Sequence, residues 1–379
     1  MKYRNLGKTG KRVGIIGLGC EFMEGKPFSE VKETIDTALD NEINIFDIFM
    51  PGTEVRETIG KALGSRRKDV MIQGHFGSTD RNKQFDISRD LPTVKRYFEE
   101  LLRIYGYIDF GMMYFIDSEQ DYNDVFETPF ITYVEQLKRS GDIHHIGFSS
   151  HNPETAMKVI QTGVPEMMMF SINPAFDMLP TKASIFDQFM YGIDAGLFRG
   201  LDPRRAELYK LCNQKQIGIT SMKTFCGSKL LFAEHSPYSE AMTTTQCIQY
   251  ALDRPAVSSV LPGCNSKEEI EGIMKYLNAT DEEKDYMRIL SGIRNDFKGN
   301  CVYCGHCQPC PANIDVATVM KYLDIARLDK ENVPSSIRSH YKSTMESSGT
   351  CIECGHCENR CPFGVPVIEN LKEATRLLG

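Results

Sequence analysis

The sequence predicts an α/β fold, a (β/α)8 TIM barrel, followed by a smaller and mainly helical unit. Three observations support this prediction. Short β-rich runs alternate with amphipathic helical runs over roughly the first 280 residues. The chain has 379 residues, more than the about 250 that one barrel usually needs. Finally, eight of its thirteen cysteines lie between Cys301 and Cys361.

The predicted strands of the barrel are short runs with nearly continuous apolar content. Strands of a parallel barrel are buried on both faces, which accounts for this content. In chain order the eight runs are Val13–Leu18, Ile43–Asp47, Val70–His75, Ile108–Tyr114, His145–Ser149, Glu166–Ile172, Ile217–Met222 and Val257–Leu261. The glycine-rich first run does not match the G-x-G-x-x-G pattern of dinucleotide-binding folds, so an ordinary strand is predicted there.

Amphipathic segments with helical spacing lie between these strands. They are Val31–Leu39, Val94–Ile104, Phe130–Ser140, Thr155–Ile160, Ala206–Leu211, Thr244–Leu252 and Glu268–Tyr276. The connection after the sixth strand, residues 173–203, is unusually long, and such connections are often lids or binding loops. It is rich in aromatic and Met residues, and Arg199, Arg204 and Arg205 lie near its end. Two interpretations stay open: a lid whose arginines bind a carboxylate or phosphate, or a packed helical insertion.

The cysteine-rich region contains two groups with one pattern, C-x2-C-G-H-C followed by Cys-Pro. Closely spaced cysteines surround a cube of iron and sulfide, and in two-cluster ferredoxins the cysteine before proline ligates the other cluster. We therefore predict two 4Fe–4S clusters. The first has the ligands Cys301, Cys304, Cys307 and Cys361, and the second has Cys351, Cys354, Cys357 and Cys310. The spacing before Cys310 is one residue shorter than in the usual run.

Two other interpretations of the cysteines fit less well. Structural zinc sites use four ligands per ion, typically two C-x2-C pairs separated by a longer loop. Disulfides require an oxidising compartment, for which the sequence carries no targeting signal. Helices are predicted between the groups at Ile314–Leu328 and Ser335–Met345, so this region resembles helical two-cluster ferredoxin modules. The predicted division is residues 1–279 for the barrel and 280–379 for a helical linker and the cluster unit.

The charge balance excludes several classes of partner. The chain has 44 Lys and Arg against 51 Asp and Glu, a net charge of -7, whereas nucleic acids and anionic membranes favour basic surfaces. No apolar run approaches the about 18 residues that a membrane span needs, and the amino-terminal segment lacks an apolar signal region. We expect a cytoplasmic protein that binds neither nucleic acid nor membrane.

Several short motifs occur in the order and spacing of the aldo-keto reductases. They are RNLGKTGKRVGIIGLG at the start, Asn44–Asp47, Glu57–Leu63, Tyr107–Asp109, Ile146–Ser149 and Leu261–Gly263. Over residues 1–277 the chain resembles that family, and as a whole it resembles the subgroup with a ferredoxin-like carboxy-terminal domain.

The resemblance implies a catalytic site of Asp, Tyr, Lys and His at the mouths of consecutive strands, with hydride from NAD(P)H. Only the Asp is retained, as Asp47. No Tyr lies between Ile48 and Val55, His75 occupies the Lys position, and Tyr114 occupies the His position. These three residues either form an acid–base relay at the barrel mouth or are packed remnants of a reductase site. His151 and Asn152 are secondary candidates.

The resemblance also implies a nicotinamide site whose contacts are partly altered. Ser149 stands where relatives hold the carboxamide, but Ser150 replaces the usual Asn beside it. The loop after the seventh strand would bind the pyrophosphate through Gly227, Ser228, Lys229 and Leu230. Glu269 replaces the Arg that pairs with a 2′-phosphate, and a carboxylate would repel that group; it also fits a capping box.

Together these features predict an iron–sulfur oxidoreductase that acts on a small carbonyl or unsaturated substrate. Electrons would pass between the two clusters and a ferredoxin or flavoprotein partner, with NAD(P)H as an additional cofactor only if the altered site binds it. Two alternatives stay open: a non-catalytic electron-transfer or binding subunit, and a redox-neutral lyase or epimerase that uses the altered site.

Overall fold

The computed structural model divides the chain into two units, Met1–Tyr286 and Met287–Gly379. It describes residues 1–81, 84–183, 185, 188, 192–198, 200–238, 240–291, 299–301, 303, 305–346, 348–361 and 363–379. None of the helices in these ranges combines the length and the apolar character that a membrane span needs.

The first unit is built around eight parallel strands, which confirms the predicted fold class. They are β3 (Leu18–Gly19), β4 (Ile45–Ile48), β5 (Met71–Phe76), β8 (Ile108–Met113), β9 (Ile143–Ser150), β10 (Met167–Ser171), β11 (Gly218–Met222) and β12 (Val257–Val260). Each pairs with its neighbours in that order. Parallel bridges from Ile16 to Val260 and from Gly19 to Gly263 then join the last strand to the first and close the barrel.

A short antiparallel hairpin precedes the barrel and divides the predicted first strand. Strand β2 (Arg12–Gly14) pairs with β1 (Tyr3–Asn5), so Val13 belongs to the hairpin and not to the parallel sheet. Leu6 and Val13 are fully buried and pack with barrel residues such as Ile45 in one apolar core. The apolar content of the predicted strand therefore reflects two different elements.

Helices and one further hairpin connect the barrel strands. The helices are Phe28–Asp40, Thr53–Leu63, Leu91–Tyr105, Glu119–Phe126, Pro129–Ser140, Pro153–Gln161, Pro174–Met178, Pro203–Lys215, Thr244–Leu252, Lys267–Met274 and Asp281–Lys284. The hairpin consists of β6 (Ser78–Arg81) and β7 (Gln84–Ile87), directly after β5. This hairpin is not predicted by the sequence pattern, and it places Phe85 beside Tyr114.

The second unit is mainly helical, as expected. Its helices are Met287–Ser291, Val316–Leu328, Ser335–Glu346, His356–Asn359 and Val367–Leu378. The last helix has apolar residues at one-turn and two-turn spacing, among them Leu371, Ala374 and Leu378, and these are buried. At the edge of this core, Arg327 pairs with Glu373 across the two long helices.

Candidate active site and cysteine cavities

A buried carboxylate–imidazole pair lies at the carboxyl ends of two neighbouring barrel strands. His75 Nε2 of β5 is 2.8 Å from Asp47 Oδ1 of β4, and the two residues are 1% and 2% exposed. Gln73 donates to the same Asp47 oxygen at 2.8 Å and accepts from Thr220 across the barrel. The other ring nitrogen, His75 Nδ1, is buried and has no hydrogen-bond partner among the described residues. Asp47 thus orients the ring, and its hydrogen bond leaves Nδ1 as the second ring nitrogen.

Tyr114, directly after β8, completes this group. Its ring meets His75 edge-on at 5.2 Å between centroids and lies parallel to Phe49 at 6.0 Å. Phe85 of the hairpin meets Tyr114 edge-on at 5.7 Å. Burial, and then the negative charges of Asp47 and other carboxylates, raise the pKa of Tyr114 well above its ordinary value. The phenol therefore stays protonated at neutral pH and can donate a hydrogen bond.

A second carboxylate–imidazole pair lies just beyond the carboxyl ends of β8 and β9. His151, after β9, places Nδ1 2.8 Å from Asp117 Oδ2, and its backbone amide and the Ser150 hydroxyl donate to Asp117 Oδ1. Burial alone would raise the pKa of Asp117, but His151 and these donors hold it below its ordinary value. Burial is also the main cause that lowers the pKa of His151. The pair is therefore an ionised carboxylate and a neutral imidazole near pH 7.

A buried ion pair between Arg205 and Asp177 lies next to this second pair, and two tyrosines donate hydrogen bonds to its carboxylate. Arg205 Nε donates to Asp177 Oδ1 at 2.7 Å, and Tyr209 and Tyr250 donate to the two Asp177 oxygens at 2.6 and 2.9 Å. Another Arg205 nitrogen reaches the backbone oxygen of His151 at 3.5 Å. Every member of this network is buried, so Arg205 is held as a fixed cation next to His151.

A cavity of about 190 Å³ borders this arrangement. Asp117, His151 and Arg205 form its polar side. Its other side comes from the long connection after β10, where the amide and the hydroxyl of Thr181 donate to the carboxylate of Asp202. The cavity is thus a formed feature of the barrel mouth with room for a small molecule.

The structure tests the lid interpretation of this long connection only in part. Phe176 and Phe198 are buried, so they contribute to the core and not to a ligand-facing surface. Arg204 is exposed and pairs with Glu207 at 2.8 Å, whereas Arg205 is buried. Met178, another residue of the predicted lid, is half-buried. Five further residues of that prediction lie outside the described residues: Phe186, Phe189, Met190, Tyr191 and Arg199.

In the second unit the cysteines of the two groups line two separate cavities. One cavity is lined by Cys301 and Cys307 of the first group together with Cys361 of the second. The other is lined by four cysteines, which are Cys310, Cys351, Cys354 and Cys357. Cys304, the remaining predicted ligand, lies outside the described residues. In each cavity the last cysteine of one group lies together with cysteines of the other group.

The backbone repeats itself in the two cysteine groups. Tyr303 and Glu353 both have φ of +54°, and the following glycines, Gly305 and Gly355, have φ of +79° and +73°. Glycine adopts such angles without steric cost, which explains its place after the second cysteine. Among the described residues, no three His, Cys, Asp or Glu side chains converge on a point that could hold a single metal ion. Cysteines spread around a cavity fit a cluster better than a zinc ion, whose sulfur ligands lie about 2.3 Å from the metal.

Comparison with known proteins agrees with this architecture. Residues 14–240, more than half of the chain, match the sequence model of the Aldo/keto reductase family. The chain belongs to the aldo/keto reductase family. Residues 300–372 match the model of the 4Fe-4S dicluster domain. The protein is thus an oxidoreductase of the aldo/keto reductase type with a ferredoxin-like iron–sulfur domain.

The known proteins that are similar to this aldo/keto reductase match it over about three quarters of the chain. An uncharacterized oxidoreductase of Bacillus subtilis (strain 168), YqkF, is 25% identical over 304 residues, which are 75% of this chain and 94% of that protein. The holo form of aldo-keto reductase AKR11C1 from Bacillus halodurans has a TM-score of 0.59 at 19% identity, over 75% of this chain and 94% of its own. Its apo form has a TM-score of 0.54 with the same identity and coverage. These structures show that the barrel fold is shared.

The residues that would hold a nicotinamide ring in this aldo/keto reductase are only partly available. The Ser149 hydroxyl is buried and has no hydrogen-bond partner among the described residues, so it could bind a carboxamide. The Ser150 hydroxyl, in contrast, donates to Asp117 at 2.9 Å. One of the two predicted contacts is therefore already used inside the protein.

Two of the four residues of the predicted pyrophosphate loop use their amides for hydrogen bonds within the loop. The residues Cys226, Gly227 and Ser228 all have positive φ, which folds the loop tightly. The amides of Lys229 and Leu230 donate to carbonyl oxygens within the loop. Glu269, the residue predicted to replace the Arg that pairs with a 2′-phosphate, accepts from the amide of Asn265 at 2.8 Å at the start of a helix. Several of the contacts predicted for a dinucleotide are thus engaged within the protein.

Sequence reasoning missed two charged residues of the site. Asp117 lies three residues beyond Tyr114, and Lys223 follows β11 directly. Burial lowers the pKa of Lys223, although the nearby carboxylates of Glu21 and Asp117 act in the opposite direction. Both residues lie just beyond the carboxyl ends of barrel strands, where active sites of this fold form, so their position was the signal that could have identified them.

Proposed function

We propose that this protein is an iron–sulfur oxidoreductase that transfers two electrons, one at a time, to or from a small carbonyl or unsaturated substrate at the barrel mouth. Residues 1–279 would bind the substrate and move protons, and residues 280–379 would hold the redox centres. The observation that carries the proposal is the buried pair of Asp47 and His75, with Tyr114 beside it, at the face where barrel enzymes act.

Two 4Fe–4S clusters would be held by the crossed cysteine sets, one by Cys301, Cys304, Cys307 and Cys361 and the other by Cys310, Cys351, Cys354 and Cys357. The cavities that these cysteines line support this assignment. Bound clusters would supply single electrons, which a ferredoxin or flavoprotein partner would deliver or remove.

The barrel residues would manage the protons. Asp47 accepts from His75 Nε2 and fixes the orientation of the ring, so that Nδ1 can give a proton to the substrate or take one from it. Tyr114, protonated at neutral pH, would donate a hydrogen bond to a substrate oxygen on which negative charge develops. Phe49 and Phe85 surround this position with apolar surface, which strengthens such a hydrogen bond.

We propose no step through a nicotinamide cofactor. Ser150, Glu269 and the amides of Lys229 and Leu230 are engaged within the protein. The Tyr and Lys that the family uses for hydride chemistry are replaced. An electron supply through clusters explains why a barrel with such a site is joined to a ferredoxin-like domain.

The test uses the full chain, purified without oxygen and reconstituted with iron and sulfide. We expect about eight irons per chain, a reduced-cluster EPR signal, and no binding of NADH or NADPH in a fluorescence titration. Reduced methyl viologen should be oxidised when members of a panel of aldehydes, ketones and α,β-unsaturated carbonyl compounds, such as cinnamaldehyde, are added.

The variants His75→Gln and Tyr114→Phe connect this turnover to the barrel site. Loss of a positioned acid–base group slows reactions by about 100- to 10,000-fold, and we expect a loss in that range for His75→Gln. Removal of one hydrogen bond by Tyr114→Phe should cost less. Wild-type rates in both variants, or cluster reduction by NADPH, would contradict the proposal.

A further inference from the structure

Lys223 is a charged residue at the barrel mouth that the proposed function does not use. It follows β11 directly, at the carboxyl end of a barrel strand, where active sites of this fold form. The residue is only partly buried, so a small molecule can reach it. Its charge acts on Glu21, just beyond β3, and on His151, just beyond β9. Because β3 and β9 belong to different sides of the barrel, the amine extends over the mouth.

The backbone of Lys223 is held in an unusual conformation. Its φ of +57° lies in the left-handed region, which residues other than glycine rarely adopt. Its carbonyl oxygen accepts from Asn173 Nδ2 at 2.9 Å and from the amide of Cys226 at 2.8 Å. Asn173 is fully buried just beyond β10. Two neighbouring strands therefore fix the point from which the lysine side chain leaves the backbone.

The surroundings of Lys223 favour a reactive amine. Burial is the main cause that lowers the pKa of its ammonium group, whereas the carboxylates of Glu21 and Asp117 act in the opposite direction. More of the amine is thus neutral than in an exposed lysine, and the neutral amine is a nucleophile. The charges of the same two carboxylates raise the pKa of Tyr114. Lys223 and Tyr114 therefore face one region of the mouth.

We propose that Lys223 forms an imine with the carbonyl group of the substrate. This inference rests on the proposed function, and it narrows the substrate to α,β-unsaturated aldehydes and ketones. The amine attacks the carbonyl carbon, and negative charge develops on the oxygen, to which Tyr114 would donate its hydrogen bond. Loss of that oxygen as water leaves a protonated C=N bond, whose positive charge the carboxylates of Glu21 and Asp117 would stabilise.

The balance of electrons and protons explains the narrower substrate class. If two electrons reduced the C=N bond itself, the product would be a stable secondary amine, and Lys223 would stay alkylated. In a conjugated imine, the C=C bond is reduced instead. Two electrons from a carrier of the ferredoxin or flavoprotein class and one proton from water form a C–H bond at the β carbon and leave an enamine. A second proton at the α carbon restores the C=N bond, and water then releases the saturated carbonyl compound and free Lys223.

Chemical trapping tests the imine directly. The reconstituted full chain is treated with cinnamaldehyde and sodium cyanoborohydride, which reduces an imine to a stable amine, and its peptides are analysed by mass spectrometry. We expect the peptide with Lys223 to gain the mass of the aldehyde less one oxygen atom. The internal control is Lys210, an exposed lysine of the helix Pro203–Lys215, whose peptide should carry at least tenfold less adduct.

The variant Lys223→Arg separates the amine from its charge. Arginine keeps the positive charge and a long unbranched side chain but forms no imine, so we expect the adduct to disappear. Viologen oxidation by cinnamaldehyde should then fall about tenfold or more. The saturated analogue hydrocinnamaldehyde should be trapped on Lys223 in the wild type but should accept no electrons.

Three results would overturn different parts of the proposal. Wild-type turnover in Lys223→Arg, or an adduct no stronger at Lys223 than at Lys210, would overturn the imine and leave the proposed function standing. Reduction of hydrocinnamaldehyde to its alcohol would overturn the narrower substrate class. An adduct at Lys223 without viologen oxidation by any compound of the panel would overturn the proposed function itself.

Discussion

His75 Nε2 lies 2.8 Å from Asp47 Oδ1. The two side chains belong to neighbouring strands, and both are almost wholly buried. The same carboxylate oxygen accepts from Gln73, so Asp47 is held from two sides. Through this hydrogen bond Asp47 fixes the orientation of the imidazole ring and its tautomer.

Asp47→Asn is therefore expected to lower turnover strongly while leaving the barrel folded. The amide keeps the size of the side chain but removes the charge and permits the wrong tautomer of His75, so we expect a loss of about 100-fold or more in viologen-linked turnover. Asp109→Asn is the matched control, because Asp109 is also buried but pairs with Arg67 near the amino-terminal end of the strands. Equal losses per folded chain in both variants would contradict a catalytic role of Asp47.

Tyr114 gives a prediction for alkaline pH. An unfolded tyrosine ionises at about pH 10, whereas burial and neighbouring carboxylates raise the pKa of Tyr114 further. The neutral phenol is thus favoured in the folded state, and its contribution to stability is lost only as the pH rises above 10. Between pH 10 and 11, folded wild type and Tyr114→Phe should show the same tyrosinate absorbance at 295 nm. A deficit of one tyrosinate in the variant would show that Tyr114 ionises normally.

The meeting of Asp47, His75 and Tyr114 could be predicted from the sequence because barrel order determines it. Consecutive parallel strands end at one face, so polar residues at the ends of three predicted strands must come together there. The apolar runs that predict those strands agree with β4, β5 and β8 within two residues.

The second pair depends on loop conformations that periodicity does not encode. Asp117 and His151 meet in the loops that follow β8 and β9, outside the strands themselves. Phe85 approaches Tyr114 through a hairpin that replaces an ordinary strand–helix connection. Likewise, the burial of Arg205 follows from its partner Asp177, which is separated from it by the long connection after β10.

The buried ion pair between Arg205 and Asp177 gives a prediction for stability. Asp177→Asn leaves the guanidinium of Arg205 buried without its counter-charge, and breaking a buried pair in this way typically costs about 3–5 kcal/mol in the free energy of unfolding. Urea denaturation of the barrel should show this loss. Glu207→Ala is the control, because its pair with Arg204 is exposed to solvent and should contribute little to the free energy of unfolding. If both variants lost a similarly small amount of free energy of unfolding, the buried ion pair would not have the stabilising role described.

The crossed cysteine cavities predict the iron content of double variants. Cys310 and Cys354 line one cavity although they belong to different cysteine groups, so Cys310→Ala with Cys354→Ala should remove one cluster and leave about four irons per chain. Cys310 and Cys301 belong to the same group but line different cavities. Cys310→Ala with Cys301→Ala should therefore impair both clusters and leave clearly fewer irons. Iron and sulfide analysis after anaerobic reconstitution, with EPR of the reduced protein, measures the difference. If each cluster were held within a single group, the two double variants would give the opposite order, because the loss of Cys310 and Cys301 would then spare one cluster.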